Sequence, residues 1–203
     1  MPGSPPIQGI TLATRVTLAR IIAIPVFVVL LIYYLLGLKD GTPNPTLRWW
    51  AFGIFLTVAA TDALDGYLAR ARNEVSALGR ILDPLADKLL LLSALILLTR
   101  PNLPALTPHI PIWFSALVIS RDTLIIGGYF LVRHVAGNVH VQPRWTGKVA
   151  TVLQMIAILW VLSQYNERHF PILIGVAGAL TALAGLQYLW DGWRQARHFP
   201  RAG

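Results

Sequence analysis

Ala19–Leu38 reads ARIIAIPVFVVLLIYYLLGL, an apolar run with one charge near its start. A bilayer core is spanned by about 20 consecutive apolar residues, so this stretch points to an all-α integral membrane protein. Five further apolar stretches follow: Leu47–Leu68, Asp83–Leu98, Pro111–Val132, Val149–Ser163 and Pro171–Trp190. Together they predict six transmembrane helices. Asp83–Leu98 and Val149–Ser163 are short for a crossing and have to borrow residues from their flanks. The breaks carry turn residues, as in Gly41-Thr42-Pro43-Asn44-Pro45 and Pro101-Asn102-Leu103-Pro104.

Composition agrees. Apolar residues make up 55% of the 203 and charged residues 13%, against roughly 45–50% and about 25% in soluble domains. A soluble chain this short has no interior large enough for so much apolar surface. The length allows a single domain over 1–203. Cysteine is absent, which excludes disulfides, thiol nucleophiles and thiolate metal sites.

The net charge is +8. The basic residues sit between apolar runs and form no single stripe, so nucleic acid is not an expected partner. The lipid bilayer, with its anionic head groups, and phosphate substrates are. With the N-terminus inside, Arg15, Arg20, Arg70, Arg72, Arg80, Arg133, Arg144, Lys148, Arg194, Arg197 and Arg201 fall on the cytoplasmic side, and Lys39, Arg48, Arg100 and Arg168 on the other. That asymmetry predicts cytoplasmic termini. Trp49, Trp50, Trp113, Trp145, Trp190 and Trp193 lie near segment ends, where an aromatic belt puts them. Residues 1–18 are expected to hold a short N-terminal interfacial helix, with Ile10, Leu12 and Val16 towards lipid and Arg15 and Arg20 reaching head groups. No cleavable signal peptide is expected, because no positive region precedes the first apolar run.

Asp62, Asp65, Asp83, Asp87 and Asp122 occupy or border apolar segments. A carboxylate at the bilayer centre costs at least about 2–3 kcal/mol, so such residues line cavities and mark function. Asp62 and Asp65 are three apart, and Asp83 and Asp87 four apart, so each pair shares a helix face. Two such helices make a four-carboxylate cage whose repulsion divalent cations relieve. All-oxygen donors select hard ions such as Mg²⁺ or Mn²⁺. Gly66 removes a side chain beside Asp65 where a nucleotide can approach backbone, and Arg70 one turn on offers a planar fork for phosphate. Gly79 shares the face of Asp83 and Asp87. Pro84 either begins a helix capped by Asp83 or lies inside a continuous one.

Residues 62–87, DALDGYLARARNEVSALGRILDPLAD, resemble the signature of the CDP-alcohol phosphatidyltransferases, D-x₂-D-G-x₂-A-R-x₈-G-x₃-D-x₃-D. Its eight fixed positions are all present, a coincidence with chance odds on the order of 10⁻⁹ per start point. The resemblance implies six helices, cytoplasmic termini and a site holding two divalent ions near the cytoplasmic membrane face. It implies that Asp62, Asp65 and Asp83 are metal ligands. Asp87 then contacts the second ion and acts as the catalytic base on the acceptor hydroxyl. Gly66, Ala69, Arg70 and Gly79 hold the cytidine diphosphate part of CDP-diacylglycerol, and the family's habit of forming homodimers carries over as an expectation.

The acceptor is read from weaker motifs. Thr14–Pro25 resembles the T-x₂-R-x₄-P opening of the phosphatidylglycerophosphate synthase and cardiolipin synthase branch. Gly147-Lys148-Val149-Ala150-Thr151 resembles the G-K-x-K-T of the former, with Ala150 in place of the second lysine. Ser120-Arg121-Asp122 is closer to cardiolipin synthases. Glycerol 3-phosphate leads as acceptor, with phosphatidylglycerol as the alternative, and Arg121, Arg144 and Lys148 are the candidate acceptor ligands. Each has a plainer reading: Arg121 as a buried structural partner of Asp122, Arg144 and Lys148 as a positive flank sharing one face of a helix. Lys88 reads as a structural counter-ion. The five histidines, placed in loops or the tail, have no ligand spacing. Gly175 with Ala179, and Gly178 with Ala182, allow a close helix approach, within the chain before a dimer seam. A cation-coupled transporter is the rival from another class, but no internal repeat supports it, and a non-catalytic scaffold has no need of four in-register aspartates.

Overall fold

The computed structural model describes the backbone of residues 12–72, 79–99, 106–136 and 144–197, and within it the side chains of 19–61, 86, 88–99, 106–128 and 144–194. Among the described residues there are six α-helices, one 3₁₀ turn and no strand. The helices are α1 (Leu12–Lys39), α2 (Pro45–Arg72), α3 (Gly79–Leu98), α4 (Ile112–Ala136), α5 (Trp145–Ser163) and α6 (Phe170–Arg197), with the turn at Glu167–His169. Each of the six predicted apolar stretches falls on one of these helices. Among the described residues, three spans are long and apolar enough to cross a membrane: Ala19–Lys39, Trp145–Ser163 and Glu167–Arg194. Residues 12–18, assigned to a separate interfacial helix, continue α1 without a break, and residues 1–11 lie outside the described residues.

The two short stretches are extended at their N-terminal ends. α3 is helical from Gly79 and α5 from Trp145, four residues ahead of where their apolar runs begin. Pro84 therefore lies inside α3 and does not start it.

Two compact units divide the chain, Met1–Ala94 and Leu95–Gly203. In the first, α1 packs on α2. Phe27, Leu31, Tyr34, Leu35 and Leu38 of α1 and Ala51, Phe55 and Val58 of α2 are buried, with the Phe27 and Phe55 rings 5.6 Å apart. The opposite stripe of α1, through Ile22, Val26, Val29, Tyr33 and Leu36, is exposed yet equally apolar, Ile22 at 66% and Tyr33 at 62%. A helix apolar on all sides and covered on one is a helix facing lipid. Its end is built by Gly41 at φ 73°: Thr42 N donates to Gly37 O at 2.8 Å, closing a Schellman cap. Asn44 Oδ1 then accepts from Thr46 N at 3.0 Å with Pro45 as first residue of α2, so the break ends one helix and caps the next.

In the second unit α6 is the shared partner, packing on both α4 and α5. The α5–α6 seam is polar at three levels. Arg144 bonds Asp191, Thr146 Oγ1 donates to Gln187 Oε1 at 2.7 Å, and Gln154 Nε2 donates to Thr181 Oγ1 at 2.9 Å. Numbers rise on α5 as they fall on α6, fixing the antiparallel register. On the α4 side, a Cβ at Gly178 would lie 2.8 Å from the Trp113 ring, so that glycine serves packing within the chain. Gly175 meets nothing within 4 Å.

Isolated hydroxyls are satisfied as a membrane requires. Thr57, Thr61, Ser93 and Thr123 each donate to the carbonyl four residues earlier, at 2.6–2.8 Å, so none of these four hydroxyls is left bare towards hydrocarbon. The six predicted belt tryptophans are all exposed at or near helix ends. Arg20 corrects the sequence reading. It is buried, 4% exposed, and does not reach for head groups. His134 lies in α4, not in a loop.

Candidate active site

The signature residues lie on the two helices that flank one connection. Asp62, Asp65, Gly66, Ala69 and Arg70 lie in the last three turns of α2, and Gly79, Asp83 and Asp87 in the first turns of α3. Residues 73–78 between them, and the side chains of these eight positions, lie outside the described residues. The helical backbone gives the pattern its meaning. Three- and four-residue steps on an α-helix bring positions 62 and 65, and positions 83 and 87, onto common faces. The four aspartates offer carboxylate oxygens only, a chemistry that fits hard divalent ions. Among the described residues no three His, Asp or Glu side chains come together as a metal-binding group.

Residues 10–190 match the CDP-alcohol phosphatidyltransferase family. The chain belongs to that family. It is 34% identical over 186 residues to the CDP-diacylglycerol–glycerol-3-phosphate 3-phosphatidyltransferase of Escherichia coli K12, covering 87% of this chain and 91% of the relative. The proteins of that name from Shigella sonnei and Shigella flexneri match at the same identity and coverage. The chain is thus an integral membrane enzyme, a CDP-alcohol phosphatidyltransferase.

In this phosphatidyltransferase the three acceptor candidates have different surroundings. Arg144 precedes α5 in extended conformation, φ −83° and ψ 145°, so it does not share a helical face with Lys148. Its Nε and Nη2 donate to Asp191 Oδ2 and Oδ1 at 2.9 and 2.8 Å, the parallel two-bond geometry of a guanidinium on a carboxylate. Lys148 is exposed in the first turn of α5.

Arg121, on α4, is the most enclosed. Its side chain is 11% exposed, and Nη1 lies 2.8 Å from Asp122 Oδ1. Its Cζ stands 5.8 Å from the Tyr188 ring centroid, and its stem runs past Gly185, whose added Cβ would sit 3.5 Å from Arg121 Cγ. A Cβ at Gly147 would be 2.7 Å from Arg121 Nη2, too close to exist without a shift. This gives the glycine of the Gly147-Lys148 pair a physical reason: it leaves room for a guanidinium from α4. Nε is buried with no hydrogen-bond partner, the state of a donor that lacks its acceptor.

Asp191, Tyr188 and Gly185 were absent from the sequence reading. All three lie on α6, and only the register of α6 against α4 and α5 brings them to the arginines. The sequence carries no local signal of that register.

Proposed function

We propose that this enzyme transfers the phosphatidyl group of CDP-diacylglycerol to glycerol 3-phosphate, giving phosphatidylglycerophosphate and CMP. The observation that carries the reading is the complete eight-position signature on α2 and α3 in a chain whose relatives bear that acceptor in their name. The acceptor hydroxyl oxygen attacks the diacylglycerol-side phosphorus of the diphosphate. The phosphorus–oxygen bond to CMP breaks, and the hydroxyl proton passes to the Asp87 carboxylate. Asp62, Asp65, Asp83 and Asp87 would hold two Mg²⁺ or Mn²⁺ ions, which neutralise charge on the diphosphate when bound. Gly66, Ala69, Arg70 and Gly79 bind the cytidine diphosphate part of the donor. Arg121, with its unpartnered Nε, is the principal ligand for the acceptor phosphate, and Arg144 and Lys148 add positive charge.

The same reading makes all six helices membrane-crossing, with residues 1–18 at the interface, cytoplasmic termini and the site at the cytoplasmic face. It also makes the chain one phosphatidyltransferase domain that pairs as a homodimer. In support, α2, α3 and α4 are 28, 20 and 25 residues long, enough to cross at about 1.5 Å per residue. The family match runs through both compact units, and the basic residues are biased to one side. CMP release from CDP-diacylglycerol and Mg²⁺ or Mn²⁺ with a panel of alcohols tests the acceptor. Release with glycerol 3-phosphate supports the reading, whereas release only with phosphatidylglycerol makes this a cardiolipin synthase. No release with any alcohol returns the aspartates to an ion pathway.

A further inference from the structure

Two arginines of the second unit are each held by a residue of α6, but by opposite chemistry. Asp191 takes two donors of Arg144, Nε and Nη2. Tyr188 offers Arg121 the face of its ring, 5.8 Å from Cζ, within the roughly 6 Å over which a cation–π contact acts. A ring face fixes a guanidinium without consuming any N–H. On the other side of the same group, Gly147 supplies bare backbone. A Cβ there would lie 2.7 Å from Nη2 and 4.0 Å from Tyr188 Cε2, so ring and guanidinium converge over the one residue of the α5 first turn that has no side chain. Of the Arg121 nitrogens, Asp122 accepts from Nη1, and Nε is buried without a partner.

We propose that Tyr188 and Gly147 are positioning residues for the acceptor: they hold Arg121 in one pose with its Nε–Nη2 edge kept for the acceptor phosphate. That edge is the one that grips an oxyanion in two parallel hydrogen bonds. An arginine side chain loses much rotamer freedom on binding, and fixing it beforehand raises affinity without adding a contact. Tyr188 and Gly147 therefore act through Arg121 and touch no substrate themselves. The proposal rests on the reading that Arg121 binds the acceptor phosphate.

The test is CMP release by the purified full chain in mixed micelles of CDP-diacylglycerol with Mg²⁺, against glycerol 3-phosphate concentration. Tyr188→Leu is expected to raise the acceptor KM about fivefold, with kcat and the CDP-diacylglycerol KM moving by less than about twofold. Tyr188→Phe keeps the ring and is expected to recover most of that loss. Gly147→Ala, which pushes on the guanidinium from the opposite side, is expected to raise the acceptor KM about tenfold, and it stands in should Tyr188→Leu not fold. Arg121→Lys separates the two layers of the argument. If Arg121→Lys leaves the acceptor KM unchanged, Arg121 is not the phosphate ligand and the proposal falls with that reading. If Arg121→Lys raises it while Tyr188→Leu and Gly147→Ala do not, the positioning role alone is overturned. Equal losses in Tyr188→Phe and Tyr188→Leu also overturn it, by assigning the effect to the hydroxyl.

Discussion

Arg144, at the N-cap position of α5, is bound at both Nε and Nη2 by Asp191 near the end of α6, at 2.9 and 2.8 Å. The sequence offered Arg144 and Lys148 as a matched pair for an acceptor phosphate. In the structure Arg144 already carries a carboxylate on the edge a phosphate would use. It serves first as a clasp between α5 and α6.

The clasp has a measurable consequence. The two side chains are 41% and 34% exposed, so solvent screens the pair, and breaking it should cost no more than about 0.5–1 kcal/mol of stability. Arg144→Ala and Asp191→Asn are expected to lower the unfolding temperature in micelles slightly and to similar extents. The swap Arg144→Asp with Asp191→Arg should restore it. For the acceptor KM, Arg121→Ala should cost about tenfold or more, since hydrogen bonds to charged groups contribute roughly 1.5–3 kcal/mol, and Arg144→Ala clearly less. The reverse ranking would place the phosphate on Arg144.

Replacing Asp83 by asparagine should abolish CMP release in a protein that still folds, because an amide does not supply the charge that balances a divalent ion. Excess chelator should do the same to the unmodified enzyme, reversibly on adding Mg²⁺ or Mn²⁺. Full turnover in chelator would remove the metal from the account.

Asp87→Asn should lower kcat far more than it changes the KM for CDP-diacylglycerol. Loss of a role confined to the transition state reduces rate, while loss of uniform binding raises KM. A variant with intact kcat and weakened donor binding would make Asp87 a donor ligand and move the base elsewhere.

The buried rung between Gln154 and Thr181, 2% and 0% exposed, should couple energetically. Thr181→Ala strands the Gln154 amide and is expected to cost about 1–2 kcal/mol. Adding Gln154→Leu should recover part of that loss, a non-additivity read from a double-mutant cycle of unfolding in micelles. Additive losses would mean that the two side chains do not depend on each other.

The helices were legible because a run such as Ala19–Leu38 announces itself by length and apolarity. Their ends were less so. Gly79–Leu82 and Trp145–Lys148 each carry a glycine and a charged residue that interrupt the apolar run, yet they are helical. That positions 62 and 65, and positions 83 and 87, share helical faces was legible from spacing alone, since helical steps of three and four need no tertiary knowledge. The surroundings of Arg121 and Arg144 were not. The pairing of Arg121 with Asp122 follows from their adjacency, but Tyr188, Gly185 and Asp191 lie on α6, 47 residues beyond Arg144 in the case of Asp191, and helix register is set by packing that no local pattern records. Arg20 was misplaced for a related reason. An arginine at the start of an apolar run reads as a head-group anchor, and only the fold reveals that it turns inward.

The most direct measurement follows the acceptor itself. Glycerol 3-phosphate labelled in its carbon skeleton is incubated with the purified enzyme, CDP-diacylglycerol and Mg²⁺, and the organic-extractable lipid is counted beside released CMP. Label is expected to enter a lipid bearing a terminal phosphate, mole for mole with CMP, and none is expected to enter with Asp87→Asn. Label that stays in the aqueous phase, while phosphatidylglycerol alone drives CMP release, would contradict it.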